Sequence, residues 1–345
     1  MSTPRAQVLR LGSLSFRWRP RTVLVCAALF VAGLLLAILL LDTGTLSFRP
    51  GEVFGSLTGT SEGTTAERVI LRIRLPRLLT ALLVGGALGM AGAIFQSISR
   101  NALGSPDVIG FTTGAATGAI VQIMLYDAGP LETSAAAVLS GVGTAILVFL
   151  LAMKGRMTGG YRLVLTGIGV GAILSGVNTV LLVMGDLDQA ASAQLWLAGS
   201  LNTRTWSHVV PAAIGFLGIL PIAIVHARRL DLLEMGDDAA RQLGIHAERA
   251  RLVMVLAAVG LTAIATAAAG PIAFIALAGP HLARRLTRSP DVPIVTGALM
   301  GMVLLLTADL ISQRLPLNLS MPIGSTTGLL GGAYLLWLLT RSRTV

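Results

Sequence analysis

Long apolar runs separated by short polar connections occupy the chain from residue 22 to residue 341. A helix needs about 20 mainly apolar residues to cross a bilayer. Runs of this kind lie at 22–41, 75–98, 105–125, 133–153, 162–184, 207–226, 251–268, 270–284, 292–313 and 322–341. The eighth run is short, and Gly270-Pro271 separates it from the seventh. The pattern predicts an all-α polytopic membrane protein with about ten transmembrane helices in one domain, residues 1–345.

Basic residues give the predicted orientation. Residues 1–21 form a basic leader before the first run, and that run ends in Asp42-Thr43-Gly44 rather than in a small-residue cleavage site, so we expect it to be retained as a span. With this leader in the cytoplasm, 19 of the 26 Lys and Arg residues fall on the cytoplasmic side. Lys and Arg resist translocation, so both termini are predicted to be cytoplasmic.

Composition narrows the class of protein further. Hydrophobic residues make up 54% of the chain and charged residues 12%, against about 25% charged in ordinary soluble domains, which excludes a soluble protein. The net charge of +10 is spread between apolar runs, so no nucleic-acid partner is predicted. The single Cys26 and scattered histidines predict no metal site. The only lysine, Lys154, does not belong to a phosphate-binding loop, so we expect no ATP hydrolysis by this chain.

Small residues recur at four-residue spacing inside several runs. Such pairs let helix backbones approach closely in lipid. Two interpretations remain open, tight packing of the bundle and a conduit lined by small residues. The pairs are Gly85 and Gly89, Gly114 and Gly118, Gly167 and Gly171, and Gly297 and Gly301.

The connection 227–250 has a helical pattern of its own. Asp237 or Asp238 could cap a short helix that ends before Gly244. We predict two short helices hinged at Gly236, as a docking element for a cytosolic partner; the alternative is a solvated amphipathic connector. The periodic positions are Leu232, Leu233, Gly236, Ala239, Ala240 and Leu243.

Two further features stand at the ends of the second run. Arg72-Ile73-Arg74-Leu75-Pro76-Arg77 lies at its outer mouth, where arginines run against the orientation rule. They could anchor the membrane interface or dock an acidic external partner. At the other end, the segment from Gln96 to Asp107 contains Pro106, with Gly104 and Gly110 nearby, which predicts a broken helix. That turn could line a gate or simply connect two helices.

Four ordered segments carry a family resemblance. They are RLPRLLTALLVGGALGMAGAIFQSISRNALGSPDVIGFTTGA, LLEMGDDAARQLG, AGPIAFIALAGPHLARR and the region from Leu310 to Gly328 with MPIG. Together they resemble the permease subunits of the type II ABC importers, the vitamin B12 and ferric-siderophore family. Within this family the chain is most similar to the second permease subunit of ferric-enterobactin systems.

The resemblance implies an architecture and partners. It implies ten helices per subunit and a dimeric translocator in a bacterial inner membrane, with the pathway at the subunit interface. Two cytosolic ATPases, which bind ATP and Mg, would power it, and an extracytoplasmic binding protein would deliver the cargo. The ferric-enterobactin likeness favours a heterodimer and a ferric catecholate siderophore. Cobalamin or haem is the alternative cargo on the same fold.

The resemblance also assigns sites, but no catalytic residue, metal ligand or cofactor in this chain. Arg74 and Arg77 match basic positions that receive the binding protein; a third such position falls at Gln313, beside Arg314. Asn101 and Leu103 match residues of the cytoplasmic gate. His281 matches a family motif and is expected to be a packed histidine rather than an iron ligand. The ATPase-coupling loop would comprise Leu232, Leu233, Gly236, Asp237, Ala240, Leu243 and Gly244.

Two other classes of protein remain as alternatives. An ion-coupled secondary transporter needs carboxylates deep in the membrane. Only Asp309 lies clearly inside a predicted span, where it could equally be a structural residue facing the bundle. A membrane scaffold is the third interpretation, and the helix breaks at Pro106 and Pro271 disfavour it.

Overall fold

The computed structural model describes residues 7–11, 14–44, 46, 48–60, 63–154, 157–158, 160–314 and 321–341. Helices account for most of this part of the chain. A π-helical turn at Ile70–Arg74 joins α3 to α4, and a 3-10 turn at Pro106–Ile109 precedes α5. The helices are α1 Pro20–Asp42, α2 Pro50–Thr58, α3 Thr65–Val69, α4 Leu75–Ser99, α5 Phe111–Tyr126, α6 Pro130–Ala152, α7 Gly160–Met184, α8 Leu187–Leu197, α9 Trp206–Glu234, α10 Asp237–Gln242, α11 Ala247–Ala269, α12 Ile275–Thr287, α13 Ile294–Arg314 and α14 Ile323–Arg341.

The predicted all-helical membrane fold is confirmed. Each of the ten predicted runs falls on a helix: α1, α4, α5, α6, α7, α9, α11, α12, α13 and α14. In the described part of the chain, seven helices are long and apolar enough to cross a membrane, and α5 is apolar but shorter, with 16 residues. The short helices α2, α3, α8 and α10 lie in the connections 42–73, 185–206 and 227–250 between these runs.

Two short hairpins add β-structure that the sequence analysis did not predict. Strands β1 (Gln7–Leu11) and β2 (Leu14–Trp18) pair antiparallel inside the predicted leader, and β3 (Met153–Lys154) pairs with β4 (Met157–Thr158) between α6 and α7. The segment Leu14–Trp18 alternates apolar and polar residues, which is the period of a strand. That signal was present but short beside the long apolar runs.

Helix lengths show which ends leave the membrane. α9 has 29 residues, so it is about 43 Å long and exceeds a hydrocarbon core of about 30 Å. Its last turns carry Arg228, Arg229, Asp231 and Glu234, which favours this end, together with α10, as the part that projects beyond the membrane. We call this end of the molecule the α10 face and the opposite end, which carries α2, the α2 face.

The predicted break at Gly270-Pro271 is confirmed. α12 has only 13 residues, about 20 Å, so it cannot cross a membrane alone. The linker before it contains two residues with positive φ, Gly270 at 74° and Phe274 at 69°. The neighbouring loop supplies backbone partners, since Ser200 N donates to Ala269 O at 2.8 Å. Irregular backbone at membrane depth is stable only when such partners exist.

The core is built around α4, most of whose residues are buried. Its Gly85 and Gly89 face Gly301 and Gly297 of α13 so closely that a Cβ on Gly89 would overlap the Gly297 carbonyl oxygen. These pairs are therefore packing contacts, as one of the two interpretations predicted. By contrast, few residues of α7 are buried, so this helix presents an open face.

Candidate functional site

The segment between α9 and α11 has the predicted hinge. Gly236 has φ 118°, a conformation that favours glycine, and α10 follows it directly. The helix ends at Gln242, and Gly244 has φ 81°. The predicted end before Gly244 is confirmed. The first of the two predicted short helices is instead the projecting end of α9, which is continuous to Glu234.

The predicted cap of α10 is wrong. The residue at the N-cap is Gly236, and no side chain caps the helix. The Asp237 carboxylate turns away because two arginines bind it. Arg251 of α11 donates from Nη2 to both carboxylate oxygens at 2.9 Å, and Arg100 at the end of α4 donates to Oδ1. Asp237 therefore joins three helices rather than closing the turn of one.

This surrounding sets the charge of Asp237. Burial alone would raise the pKa of the Asp237 carboxyl. The hydrogen bonds and charge of Arg251, and then the charge of Arg100, outweigh burial and hold that pKa below its ordinary value. Arg251 is itself buried and also pairs with Glu248 at 2.7 Å. Asp237 is therefore a charged structural junction at neutral pH.

The apolar positions of the segment divide into two sets. Leu233 and Ala240 are buried against the bundle, and Leu232 is half-buried at its edge. Met235 and Leu243 are exposed, on a segment that projects beyond the membrane. One set holds the segment on the bundle, and the other offers an apolar surface to a partner.

The predicted gate turn lies beside this segment. Asn101 and Leu103 are exposed, and Asn101 Oδ1 accepts a hydrogen bond from Leu103 N at 2.9 Å. A polar cavity of about 250 Å³ opens between this turn and the end of α9, where Arg284 of α12 pairs with Glu234. The cavity is lined by Gln96, Arg100, Asn101, Ala102, Glu234 and Arg284. The structure thus brings the residues predicted to form the gate and the coupling loop into one region of the α10 face.

The arginines predicted to dock a partner lie on the opposite, α2 face. Arg74 is buried: its guanidinium donates to the carbonyls of Leu41, at 2.6 Å, and Leu46, and lies over the Phe48 ring. Arg314 is exposed and donates to Thr43 Oγ1. Docking of a partner by these residues stays a prediction.

Arg77 has partners within the chain as well. It pairs with the buried Asp309 of α13 at 2.6 Å and donates from Nη1 to Asn202 Oδ1 at 2.7 Å. Gln313, at the position of the third predicted arginine, donates to the same carboxylate at 3.0 Å. This cluster connects α4, α13 and the loop after α8. Asp309 therefore has the bundle-facing structural position that was one of its two interpretations.

Sequence reasoning missed Asp107. Its carboxylate accepts hydrogen bonds from Ser105 and Thr112 and lines a cavity of about 440 Å³ between α5, α8 and the starts of α12 and α14. The available signal was an acidic residue directly after the helix-breaking Pro106. The sequence was used there only to predict the helix break, so no role was predicted for the Asp107 side chain.

The surroundings of His281 and of the other possible metal ligands bear on the predictions for histidine and metal. His281 Nδ1 lies 2.6 Å from the Tyr334 hydroxyl, with the two rings edge to face, as expected for a packed histidine. Among the residues that the structure describes, no group of three or more His, Cys, Asp or Glu side chains could hold a metal ion.

The fold has a clear counterpart among solved structures. A metal-chelate type ABC transporter, solved in an inward-facing conformation, superposes with a TM-score of 0.81 at 27% identity, covering 92% of this chain and 99% of that one. The chain is accordingly a permease subunit of an ABC importer and is not itself a catalyst. A permease of this class works with separate ATP-hydrolysing subunits and a binding protein.

The family follows from sequence. A model of the FecCD transport family matches residues 29–341, and the chain belongs to this family. It is 44% identical to the ferric enterobactin transport system permease protein FepG of Escherichia coli (strain K12), over 92% of this chain and 96% of that protein. It is 34% identical to the hemin transport system permease protein HmuU of Yersinia pestis, over 95% and 98% of the two chains.

Proposed function

We propose that this chain is the transmembrane subunit of an ATP-driven importer for a ferric siderophore of the catecholate, enterobactin type. The observation that carries this cargo is the 44% identity to the ferric enterobactin permease FepG across 92% of the chain. The hemin permease HmuU, which represents the haem alternative, is 34% identical over a similar length. The whole chain acts as one permease domain, and it needs no cofactor of its own.

The cargo pathway runs between two permease subunits. The open face of α7 supports this proposal, because Gly169 and Gly176 have no atom within 4 Å of a Cβ built on them. A face this bare on a membrane helix either meets lipid or meets a second subunit and a cavity. The resemblance to the second permease subunit of ferric-enterobactin systems favours a heterodimer. α7 contains one charged residue, Arg162, near its start, so this face offers no array of charges that would hold the chelate.

The coupling segment, residues 232–244, docks on the ATPase dimer. Its support is the division of its apolar residues, with Leu233 and Ala240 buried and Met235 and Leu243 exposed. The exposed pair lies outside the membrane, where an apolar surface marks a protein contact. The α10 face is accordingly cytoplasmic, and both termini lie on that side. The partner ATPases bind ATP and Mg.

The binding protein docks on the arginines of the α2 face. Arg314 is exposed there, as are Arg68 and Arg72, and a basic surface of this kind complements acidic residues on a partner. Arg74 and Arg77 contribute to docking from beneath, by fixing the outer end of α4 through their contacts with Leu46 and Asp309. The gate at Asn101 and Leu103 closes the opposite end.

Uptake in a strain that lacks only this gene tests the cargo. Radio-iron supplied as ferric enterobactin should no longer enter, whereas radiolabelled cobalamin and hemin should enter at the wild-type rate. A plasmid copy of the gene should restore iron uptake. Loss of cobalamin or hemin uptake with normal iron uptake would replace the siderophore by that cargo and leave the architecture in place.

A further inference from the structure

The residue that caps the end of α4 has an unusual backbone conformation. Arg100 caps the helix in the left-handed region, with φ 50° and ψ 35°. Helices that end this way usually place glycine or asparagine there, because a larger side chain is strained. The role of Arg100 therefore depends on what its side chain contacts.

The Arg100 side chain spans the hinge of the coupling segment. Nε donates to the carbonyl of Leu233 at 3.1 Å, before Gly236, and Nη2 donates to the carboxylate of Asp237, after it. One guanidinium therefore holds both sides of the hinge, and its planar set of donors suits this arrangement better than an ammonium would.

The gate turn is fixed to the same residue. Asn101 follows Arg100 directly, and its backbone N donates to Gln96 O at 3.1 Å. Within the turn, Gly104 N donates to Asn101 O at 2.9 Å, and Leu103 N donates to Asn101 Oδ1 at 2.9 Å. The turn is thus closed by its own hydrogen bonds and is attached to α4 as a unit. A displacement of Arg100 displaces Asn101 and Leu103 with it.

We propose that Arg100, through its bonds to Leu233 and Asp237, is the positioning residue that transmits motion of the coupling segment to the gate turn. The proposal rests on the proposed function, because it requires residues 232–244 to receive the ATPase. Arg251 holds the same carboxylate from α11, so Asp237 is bound to the bundle on one side and is linked through Arg100 to the gate turn on the other. The mechanism couples ATP hydrolysis to gate opening without a cargo contact.

The chain contains a matched control for this residue. Arg288 caps α12 with φ 49°, so its backbone is in the same conformation as that of Arg100. It is exposed, and its side chain makes no hydrogen bond or ion pair within the part of the chain that the structure describes. Arg→Gly relieves the same backbone strain at both positions but removes the bridge only at Arg100.

The experiment uses the complete transporter in proteoliposomes, with radio-iron ferric enterobactin as cargo. ATP hydrolysis and uptake are measured together for Arg100→Gly, Arg288→Gly and wild type. Arg100→Gly should keep its ATPase activity while uptake per ATP falls roughly tenfold, within the usual range of coupling between distant sites. Arg288→Gly should match wild type. Equal uptake per ATP in the two glycine variants would overturn the proposal.

Two further variants separate this proposal from the docking proposal. Asp237→Asn should lower uptake per ATP as Arg100→Gly does. This variant tests the proposal if Arg100→Gly does not assemble. Leu243→Asp, on the exposed side of the segment, should prevent copurification of the ATPase. Normal assembly and uptake in Leu243→Asp would contradict docking. Failed assembly there, with unchanged uptake per ATP in Arg100→Gly and Asp237→Asn, would contradict only the Arg100 link.

Discussion

The ion pair between Arg77 and Asp309 should respond unequally to removal of its two partners. The side chain of Asp309 is 1% exposed and that of Arg77 is 24% exposed. Arg77→Ala leaves a buried carboxylate with Gln313 as its remaining partner, which should cost about 3–5 kcal/mol. Asp309→Ala leaves a guanidinium that still reaches Asn202 and water, so a cost of only about 1–2 kcal/mol is expected.

Thermal unfolding of the purified protein in detergent measures the difference. All variants are heated at one rate, because membrane proteins commonly unfold irreversibly. Arg77→Ala should have the lowest midpoint, Asp309→Ala a higher one, and the double variant should lose less than the sum of the two. An Asp309→Ala midpoint below that of Arg77→Ala, or strict additivity, would refute the reasoning from burial.

Substitution of Asp309 distinguishes an importer driven by ATP from an ion-coupled carrier. Asn at position 309 still offers an oxygen to Arg77, and an importer driven by ATP does not need a titrating group there. We therefore expect Asp309→Asn to retain ATP-dependent uptake of ferric enterobactin in proteoliposomes. An ion-coupled carrier would lose transport in this variant, and its uptake would follow an imposed ion gradient without ATP.

Three other predictions concern packing, a buried arginine and pH. Gly89→Ala should lower the thermal midpoint, because the added methyl group forces α4 away from α13 at a cost of about 1–3 kcal/mol in stability. Gly218→Ala, with open space around it, should be neutral or slightly stabilising. Equal midpoints for the two variants would contradict the close approach of α4 and α13. Arg74→Met should cost about 2–3 kcal/mol in the same assay because two backbone carbonyls lose a charged donor, while the exposed Arg72→Met should change stability by no more than about 0.5 kcal/mol. The pKa of Asp237 is lowered, so its ion pairs stabilise the fold fully above the ordinary carboxyl pKa of about 4, and this stabilisation is lost only as pH falls through the lowered value. Hydrogen exchange of α10, corrected for intrinsic rates, should therefore stay constant from about pH 8 to pH 5. A loss of protection near pH 6 would contradict this.

Local sequence signals gave most of the helical plan. Apolar runs of sufficient length predicted the membrane helices, and Gly270-Pro271 marked the break between α11 and α12. Glycine also marked the hinge at Gly236 and the end of α10 before Gly244. These features depend on neighbouring residues along the chain, so composition and spacing suffice to find them.

Composition and spacing could not predict which residues pair with the charged side chains. A capping role for Asp237 was the natural prediction from its neighbours, but the folded chain offers it Arg251, 14 residues away, and Arg100, 137 residues away. The outer arginines were likewise treated together, as anchors of the membrane interface or as a docking surface. The fold buries Arg74, pairs Arg77 with Asp309, and leaves Arg314 exposed.

The sequence by itself determined that the chain is a helical membrane permease of a recognisable family and where its helices break. Those properties follow from apolar length, backbone freedom and side-chain size, which each residue carries with it. Only the tertiary structure decided which arginine meets which carboxylate. Ion pairs form between residues far apart in sequence, and burial then decides whether a charge faces a partner, the lipid or the core.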